Sequence, residues 1–177
     1  MNLILETERL ILREMLPTDA EAMFKLDSNP NVVKYLGNKP FKSIDQSVNI
    51  INNVRKQYIN NGIGRFSVVV KETNEMIGWA GIKFVTDIEN DRTNFYDLGY
   101  RLHEEHWGKG YASEATKAWL DYFFQTMKHP VLVASVNIDN FESNKIVKKF
   151  GFQLINTFDY EDLHCNWYEL KKEDYLK

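Results

Sequence analysis

The chain of 177 residues is 44% hydrophobic and 14% aromatic, which suffices for one domain with a sizeable core. Its formal net charge of -3 at pH 7 lacks the basic surplus of nucleic-acid-binding proteins, so neither RNA nor DNA is expected as a partner. Its single cysteine, Cys165, excludes a disulfide within the chain, and no apolar run reaches the ~18 residues that indicate a membrane span.

The first half of the chain predicts a strand, two helices and a hairpin. Charge interrupts the opening segment 1–6 too early for a secretory signal, so we expect a cytoplasmic protein. Hydrophobic spacing and capping residues predict a strand at Leu10–Arg13, a helix through Leu26 capped by Thr18 and Asp19, a helix from a capping box at Ser43 and Gln46, and a hairpin of Arg65–Lys71 with Met76–Val85. The short polar turn inside the hairpin favours antiparallel pairing.

The second half predicts strands that alternate with helices. Period-two alternation predicts a strand at Tyr96–Leu102, and helical spacing of apolar residues predicts a helix from 113 to about 126. The remaining patterns predict a buried strand at Val131–Val136, a helix near 141–150 that Gly151 ends, and two strands near 152–158 and 164–170. This order predicts an α+β fold (α/β in some schemes) with a mixed, largely antiparallel sheet flanked by helices. We expect a single domain over 1–177, with its core at about 8–172.

A glycine-rich turn joins the strand at Tyr96–Leu102 to the helix that follows. Gly108 and Gly110 let the backbone bend sharply and approach a ligand, and Lys109 adds a cation beside them. Because the first turn of a helix has N–H groups without intrahelical partners, the turn suits an anion such as a diphosphate. An ordinary strand-to-helix connection is the alternative. The spacing matches neither a Rossmann fingerprint, which Ser113 interrupts, nor a P-loop.

Motifs in three parts of the chain resemble the GNAT superfamily of acetyl-CoA-dependent N-acetyltransferases. Thr7–Arg13 resembles the opening strand of the branch that includes the ribosomal-protein alanine N-acetyltransferases. Trp107–Ala112 resembles the acyl-CoA signature Q/R-x-x-G-x-G/A, and Asn140–Phe152 resembles a second motif that begins N-x-x-S and ends in G-F. The resemblance extends over nearly the whole chain and implies the acyl-CoA N-acyltransferase fold.

The resemblance implies that acetyl-CoA is the co-substrate. It assigns the CoA diphosphate to the backbone N–H groups of Trp107, Gly108, Lys109, Gly110, Tyr111 and Ala112. The pantetheine arm would pair with the end of the preceding strand, at Leu102 and His103. Asn140 would reach the cofactor, cap the following helix, or do both. Trp107 stands where the family has Gln or Arg, so recognition of the diphosphate is expected to rest on backbone amides.

The resemblance also implies direct attack of an amine on the acetyl thioester in a ternary complex. The acceptor is then a primary amine, either a protein N-terminus or a small molecule. Asp97 is the candidate base, and a solvated or Arg-paired carboxylate is the alternative for it. Ser143 is the candidate acid or else a helix cap, because the Tyr that many members carry is Val147 here. Three departures from the family pattern, Trp107, Val147 and an Asp at 97 where related enzymes carry Glu, keep open a CoA-binding module with little catalysis.

The run His103-Glu104-Glu105-His106 carries potential metal ligands. It does not match H-E-x-x-H, its two histidines fall three residues apart, and no third ligand is evident in the sequence. We therefore expect no metal. The sequence leaves the oligomeric state open, and a homodimer is one of the arrangements that it permits.

Overall fold

The structure, a computed structural model, describes residues 3–175 and 177. The strands are β1 (Ile4–Glu6), β2 (Leu10–Glu14), β3 (Arg65–Val70), β4 (Glu75–Val85), β5 (Phe95–Leu102), β6 (Val131–Asn137), β7 (Gln153–Tyr160) and β8 (Leu163–Lys171). The α-helices are α1 (Ala20–Asp27), α2 (Pro30–Val33), α3 (Ile44–Asn61), α4 (Tyr111–Asp121), α5 (Phe141–Lys149) and α6 (Lys172–Tyr175). Short 3-10 turns occupy Pro17–Asp19 and Glu104–His106, and a π-helical turn at Tyr122–Met127 extends α4.

All the strands belong to one eight-stranded sheet in the order β1-β2-β3-β4-β5-β6-β8-β7. Every neighbouring pair is antiparallel except β5 and β6, which run parallel. The predicted mixed, largely antiparallel sheet with flanking helices is thereby confirmed. Within the described residues, no helix is both long and apolar enough to cross a membrane.

The helix α3 begins at the capping box that the sequence predicts. The Ser43 hydroxyl accepts a hydrogen bond from the Asp45 N–H at 3.2 Å, and the Gln46 side chain accepts one from the Ser43 N–H at 3.2 Å. The helix stops at Gly62, whose φ of 69° is left-handed. Its buried stripe includes Ile51, Val54 and Tyr58, so one face of α3 packs on the core.

The predicted side-chain cap of α1 is wrong, because Asp19 uses its carboxylate elsewhere. It accepts hydrogen bonds from the Arg13 guanidinium at 2.7 and 2.8 Å and from the Ser67 hydroxyl at 2.7 Å. A bidentate pair with a guanidinium is stronger than a single cap bond. Burial opposes ionisation of Asp19, but these bonds hold its pKa below the usual value. Asp19 therefore fastens β2 and β3 to the segment that precedes α1.

The central strands carry an apolar face and a charged face. On the first, Phe66 of β3 packs edge-to-face against Trp119 of α4, with ring centroids 4.9 Å apart. The register pairs Phe66 with Ala80, so Trp79 lies on the opposite face. There the guanidiniums of Arg65 and Arg101 each lie 5.2 Å from the Trp79 ring. The charged face thus runs along β4 and β5, up to the place where the sheet opens.

Candidate active site

The sheet opens between β5 and β6. These two parallel strands are paired only at Asp97 and Val133, whereas β5 stays paired with β4 as far as Leu102. The strands therefore separate toward their carboxyl ends and leave a gap beside the last residues of β5. Backbone amides at such a gap lack strand partners, so an extended chain of amides can pair there.

The backbone of β5 presents Leu102 to this gap and turns His103 away from it. The His103 N–H donates to the Ile77 carbonyl of β4 at 2.8 Å, and the His103 carbonyl accepts from the His106 N–H at 3.0 Å. Because backbone groups alternate along an antiparallel strand, those of Tyr100 and Leu102 then point toward the gap. The geometry accommodates the predicted pantetheine contact at Leu102, while the backbone of His103 is engaged with the protein itself.

The glycine-rich turn leads from the gap into α4. Gly108 and Gly110 have left-handed φ values of 72° and 82°, which explains why both are glycine. The N–H groups of residues 108–113 make no hydrogen bond to another described residue, and a Cβ on Gly108 would meet nothing within 4 Å. The Trp107 N–H is engaged with the Glu104 carbonyl at 3.1 Å, so it drops out of the predicted set of donors. The turn is a run of unpartnered donors with open space beside it.

Trp107 lies at the surface beside this turn. Its side chain is 48% exposed, and its indole N–H donates to the Leu102 carbonyl oxygen at 2.9 Å. It ties the start of the turn to the end of β5. Trp107 offers no guanidinium or amide side chain where the family has Gln or Arg. A cationic side-chain contact to a phosphate at this turn therefore has to come from another residue.

A network from the beginning of the chain reaches the same turn. The Thr7 hydroxyl donates to Glu114 at 2.6 Å, and Arg9 Nε donates to Glu114 at 2.7 Å. Arg9 Nη1 also donates to the Lys109 carbonyl at 3.0 Å, and the guanidinium lies 4.5 Å from the Tyr111 ring centroid. Sequence reasoning missed this contact because its residues are 100 positions apart and share no local pattern.

Asn140 adopts the capping geometry at the start of α5. Its side-chain oxygen accepts a hydrogen bond from the Ser143 N–H at 3.2 Å, while its side-chain NH2 has no partner among the described residues. The half-buried Ser143 side chain interacts with the Tyr100 hydroxyl, which also reaches the Ser143 carbonyl at 3.4 Å. Burial raises the pKa of Tyr100 to about 12, so this hydroxyl stays protonated at neutral pH. The contact ties β5 to the first turn of α5.

The buried Asn144 holds α5 against β6 and β8. Its amide NH2 donates to the carbonyls of Asn137 and Asn140 at 2.9 and 2.8 Å. Its amide oxygen accepts from the Tyr168 hydroxyl at 2.7 Å and from Asn166 at 2.8 Å. Asn144 therefore has a structural role next to the candidate catalytic serine.

We expect Asn144→Ala to lower the free energy of unfolding by about 3 kcal/mol, because it leaves buried polar groups such as the Tyr168 hydroxyl without a hydrogen-bond partner. Asn140→Ala is the matched control, because it removes one half-exposed cap bond and should cost about 1 kcal/mol. Urea unfolding of both variants measures the difference. Equal losses in the two variants would contradict the structural role of Asn144.

Asp97 lies where β5 and β6 separate, and it is paired with Arg65. Arg65 Nη2 donates to Asp97 Oδ2, and Arg65 Nη1 donates to the Asp97 carbonyl at 2.7 Å. Both side chains are nearly buried, at 11% and 12% exposure, and burial lowers the pKa of Arg65 while Asp97 opposes this. Asp97 Oδ1 has no hydrogen-bond partner among the described residues. The Arg-paired carboxylate, which the sequence leaves open as the alternative role of Asp97, is therefore present through Oδ2. Oδ1 remains able to accept a hydrogen bond from a water or from a substrate amine.

The side chain of His103 points toward α1, where its Nε2 lies 2.8 Å from the Ala22 carbonyl oxygen. Burial lowers the pKa of His103. The fold brings Glu75 close to it, so that ligand atoms of Glu75, His103 and Glu105 lie within 4.8 Å of one another. Lys25 pairs with Glu105 and holds the pKa of that carboxyl at about 2. His103 Nδ1 is buried without a hydrogen-bond partner, but Lys25 already neutralises Glu105, and we assign no ion to this cluster.

Comparison with known proteins adds to this geometry. Residues 9–153 match the family model described as the acetyltransferase (GNAT) domain. An uncharacterized N-acetyltransferase, p20 of Bacillus licheniformis, is 38% identical over 149 residues, which cover 84% of this chain and 82% of that protein.

Solved structures agree with the family model. A GNAT-family acetyltransferase from Bacillus anthracis superposes with a TM-score of 0.80 at 25% identity, covering 97% of this chain and 99% of that one. A ribosomal-protein α-N-acetyltransferase in complex with coenzyme A shares the fold with a TM-score of 0.78 at 17% identity, covering 96% of this chain and 98% of that one. The chain therefore belongs to the GNAT family of acetyltransferases and is an acyl-CoA-dependent enzyme.

Proposed function

We propose that this acetyltransferase transfers the acetyl group of acetyl-CoA to a primary amine, either a protein N-terminal α-amine or a small amine, by direct attack in a ternary complex. The observation that carries the proposal is the run of unpartnered N–H groups at residues 108–113 beside the gap between β5 and β6. An acyl-CoA presents a diphosphate followed by an extended chain of amides, and this order matches the turn followed by the gap.

The residues around the turn fit the cofactor. We assign the diphosphate to the N–H groups of Gly108, Lys109, Gly110, Tyr111 and Ala112. The left-handed glycines and the open space at Gly108 support this assignment, because they let a ligand approach the backbone closely. We assign the first amide of the pantetheine arm to the backbone N–H of Leu102, whose carbonyl already accepts from the Trp107 indole, and a further contact to the free NH2 of Asn140.

Acetyl-CoA supplies an acyl thioester, whose C–S bond breaks as the amine nitrogen bonds to the carbonyl carbon. We propose that Asp97 Oδ1 takes the amine proton, directly or through one water. Presenting a neutral α-amine of pKa ~8 at pH 7 costs about 1.4 kcal/mol, against roughly 4–5 kcal/mol for a lysine side chain of pKa ~10.4. A carboxylate that is paired with Arg65 is a weak base. It therefore suits an α-amine, which loses its proton easily, better than a lysine side chain.

The departing thiolate needs one proton. We assign this role to Ser143, whose hydroxyl stands at the start of α5 beside the protonated hydroxyl of Tyr100. A cysteine-like thiol with pKa ~8.5 needs little help to leave, so water is able to replace Ser143. The position of the family's Tyr is filled by Val147, which is buried.

A CoA-binding module with little catalysis is the second candidate. The Asp97–Arg65 ion pair and the absence of a hydroxyl at Val147 favour it. It predicts tight CoA binding without turnover, which separates it from the enzyme.

Thiol release from acetyl-CoA tests both candidates. We expect the rate to rise at least ~10-fold above the acceptor-free rate with one class in a panel of peptides with free N-termini, polyamines and aminoglycosides. CoA binding in calorimetry without stimulation by any acceptor would favour the module. Absence of CoA binding would contradict both candidates.

A further inference from the structure

The guanidinium of Arg9 has a free side that faces the proposed diphosphate turn. Its Nε is engaged with Glu114 at 2.7 Å and its Nη1 with the Lys109 carbonyl at 3.0 Å. Its Nη2 makes no hydrogen bond to a described residue, and it would lie 3.3 Å from a Cβ built on Gly110. The unused donors of Arg9 are therefore next to the second glycine of the turn.

The surroundings hold this guanidinium in place. The ring of Tyr111 lies under it at 4.5 Å, and the Arg9 backbone N–H adds a hydrogen bond to Glu114 at 2.9 Å. Arg9 is still 42% exposed in its side chain, so its free side is open to solvent. On the side of the turn, a Cβ on Gly108 would meet nothing within 4 Å, so a phosphate group has room beside the donors of Arg9.

The charge of Glu114 makes a cation necessary at this place. Glu114 lies in the first turn of α4, where its carboxylate would repel a bound diphosphate. The ion pair with Arg9 cancels that charge and leaves Nη2 available. A guanidinium stays charged and forms strong hydrogen bonds to phosphate oxygens, and Nη2 offers its N–H groups for one such contact.

We propose that Arg9 binds the diphosphate of CoA and supplies the cationic contact that Trp107 lacks. A residue from β1–β2, at the other end of the chain, thus completes the turn at residues 108–113. The inference rests on the proposed function only in taking CoA as the ligand.

Calorimetric binding of three probes tests the proposal without requiring turnover. The probes are CoA, 3′-dephospho-CoA and pantetheine, of which only pantetheine lacks the diphosphate. We expect Arg9→Gln to weaken CoA and 3′-dephospho-CoA alike by about 10- to 30-fold and to leave pantetheine unchanged. Arg9→Lys keeps the charge and should recover at least half of the lost binding free energy. Arg92→Gln is the matched control, because Arg92 is similarly exposed and paired with Glu169 at 3.1 Å.

Other outcomes overturn the assignment. A loss confined to CoA would place the guanidinium at the 3′-phosphate, and an equal loss for pantetheine would indicate a merely structural role. Unchanged binding of all probes would remove Arg9 from the site. A protein that binds CoA in this pattern but acetylates no amine would contradict the proposed function and leave the role of Arg9 established.

Discussion

Gly110→Glu is expected to abolish CoA binding, with a loss of affinity of at least ~100-fold, while the protein stays folded. The new carboxylate would stand among the donors that we assign to the diphosphate and would repel it. It would also lie next to Arg9 and draw its guanidinium away from the ligand. Calorimetry with CoA measures the loss, and far-UV circular dichroism checks the fold.

Two control variants separate charge from backbone strain in this experiment. Gly110→Ala imposes the same left-handed φ of 82° without charge, and should cost about 1–2 kcal/mol of stability and much less CoA affinity. Gly62→Glu adds the same charge and a similar strain, at a φ of 69°, at the end of α3 outside the turn. Full CoA affinity in Gly110→Glu would show that the turn does not hold the diphosphate.

The long elements of this fold could be predicted because each carries its own periodic signal. The helix α3 has a capping box at its start, an apolar stripe and a terminal glycine, so its bounds follow from local chemistry. The sequence does not predict the short elements β1, α2 and α6, since three or four residues contain no measurable period. Their formation depends on neighbours, as β1 shows by pairing only with β2.

The candidate site likewise contains features that local sequence predicts and features that depend on tertiary contacts. The turn at Gly108 and Gly110 is local in sequence, so its geometry could be anticipated from glycine chemistry. The partners of Asp97, His103 and Arg9 are set by tertiary contacts, and a single sequence does not pair residues that lie far apart. Arg65 reaches Asp97 across 32 positions and Arg9 reaches Lys109 across 100. The sequence therefore predicts the backbone geometry of the turn better than the charges that surround it.

Asp97→Asn is expected to lower both stability and turnover, and the two effects can be separated. Removing the carboxylate leaves Arg65 nearly buried with a neutral partner, which should cost about 3 kcal/mol and lower Tm by roughly 6–12 °C. If Asp97 Oδ1 is the base, kcat should also fall about 10²-fold and lose its dependence on pH on the acidic side. Assays well below the lowered Tm keep the variant folded while the pH profile is recorded.

Asp27→Asn provides the matched control for this prediction. Asp27 is buried and pairs with Arg101 on the same charged face, so the variant should lose comparable stability. It has no assigned role in proton transfer, so its pH profile should match that of the unaltered protein. If the acidic limb of the kcat–pH profile is unchanged in Asp97→Asn, water rather than Asp97 accepts the amine proton, and Asp97 serves only to pair with Arg65. A limb lost only in Asp97→Asn would instead identify the carboxylate at the opening of the sheet as the base, because stability alone would then not explain the change.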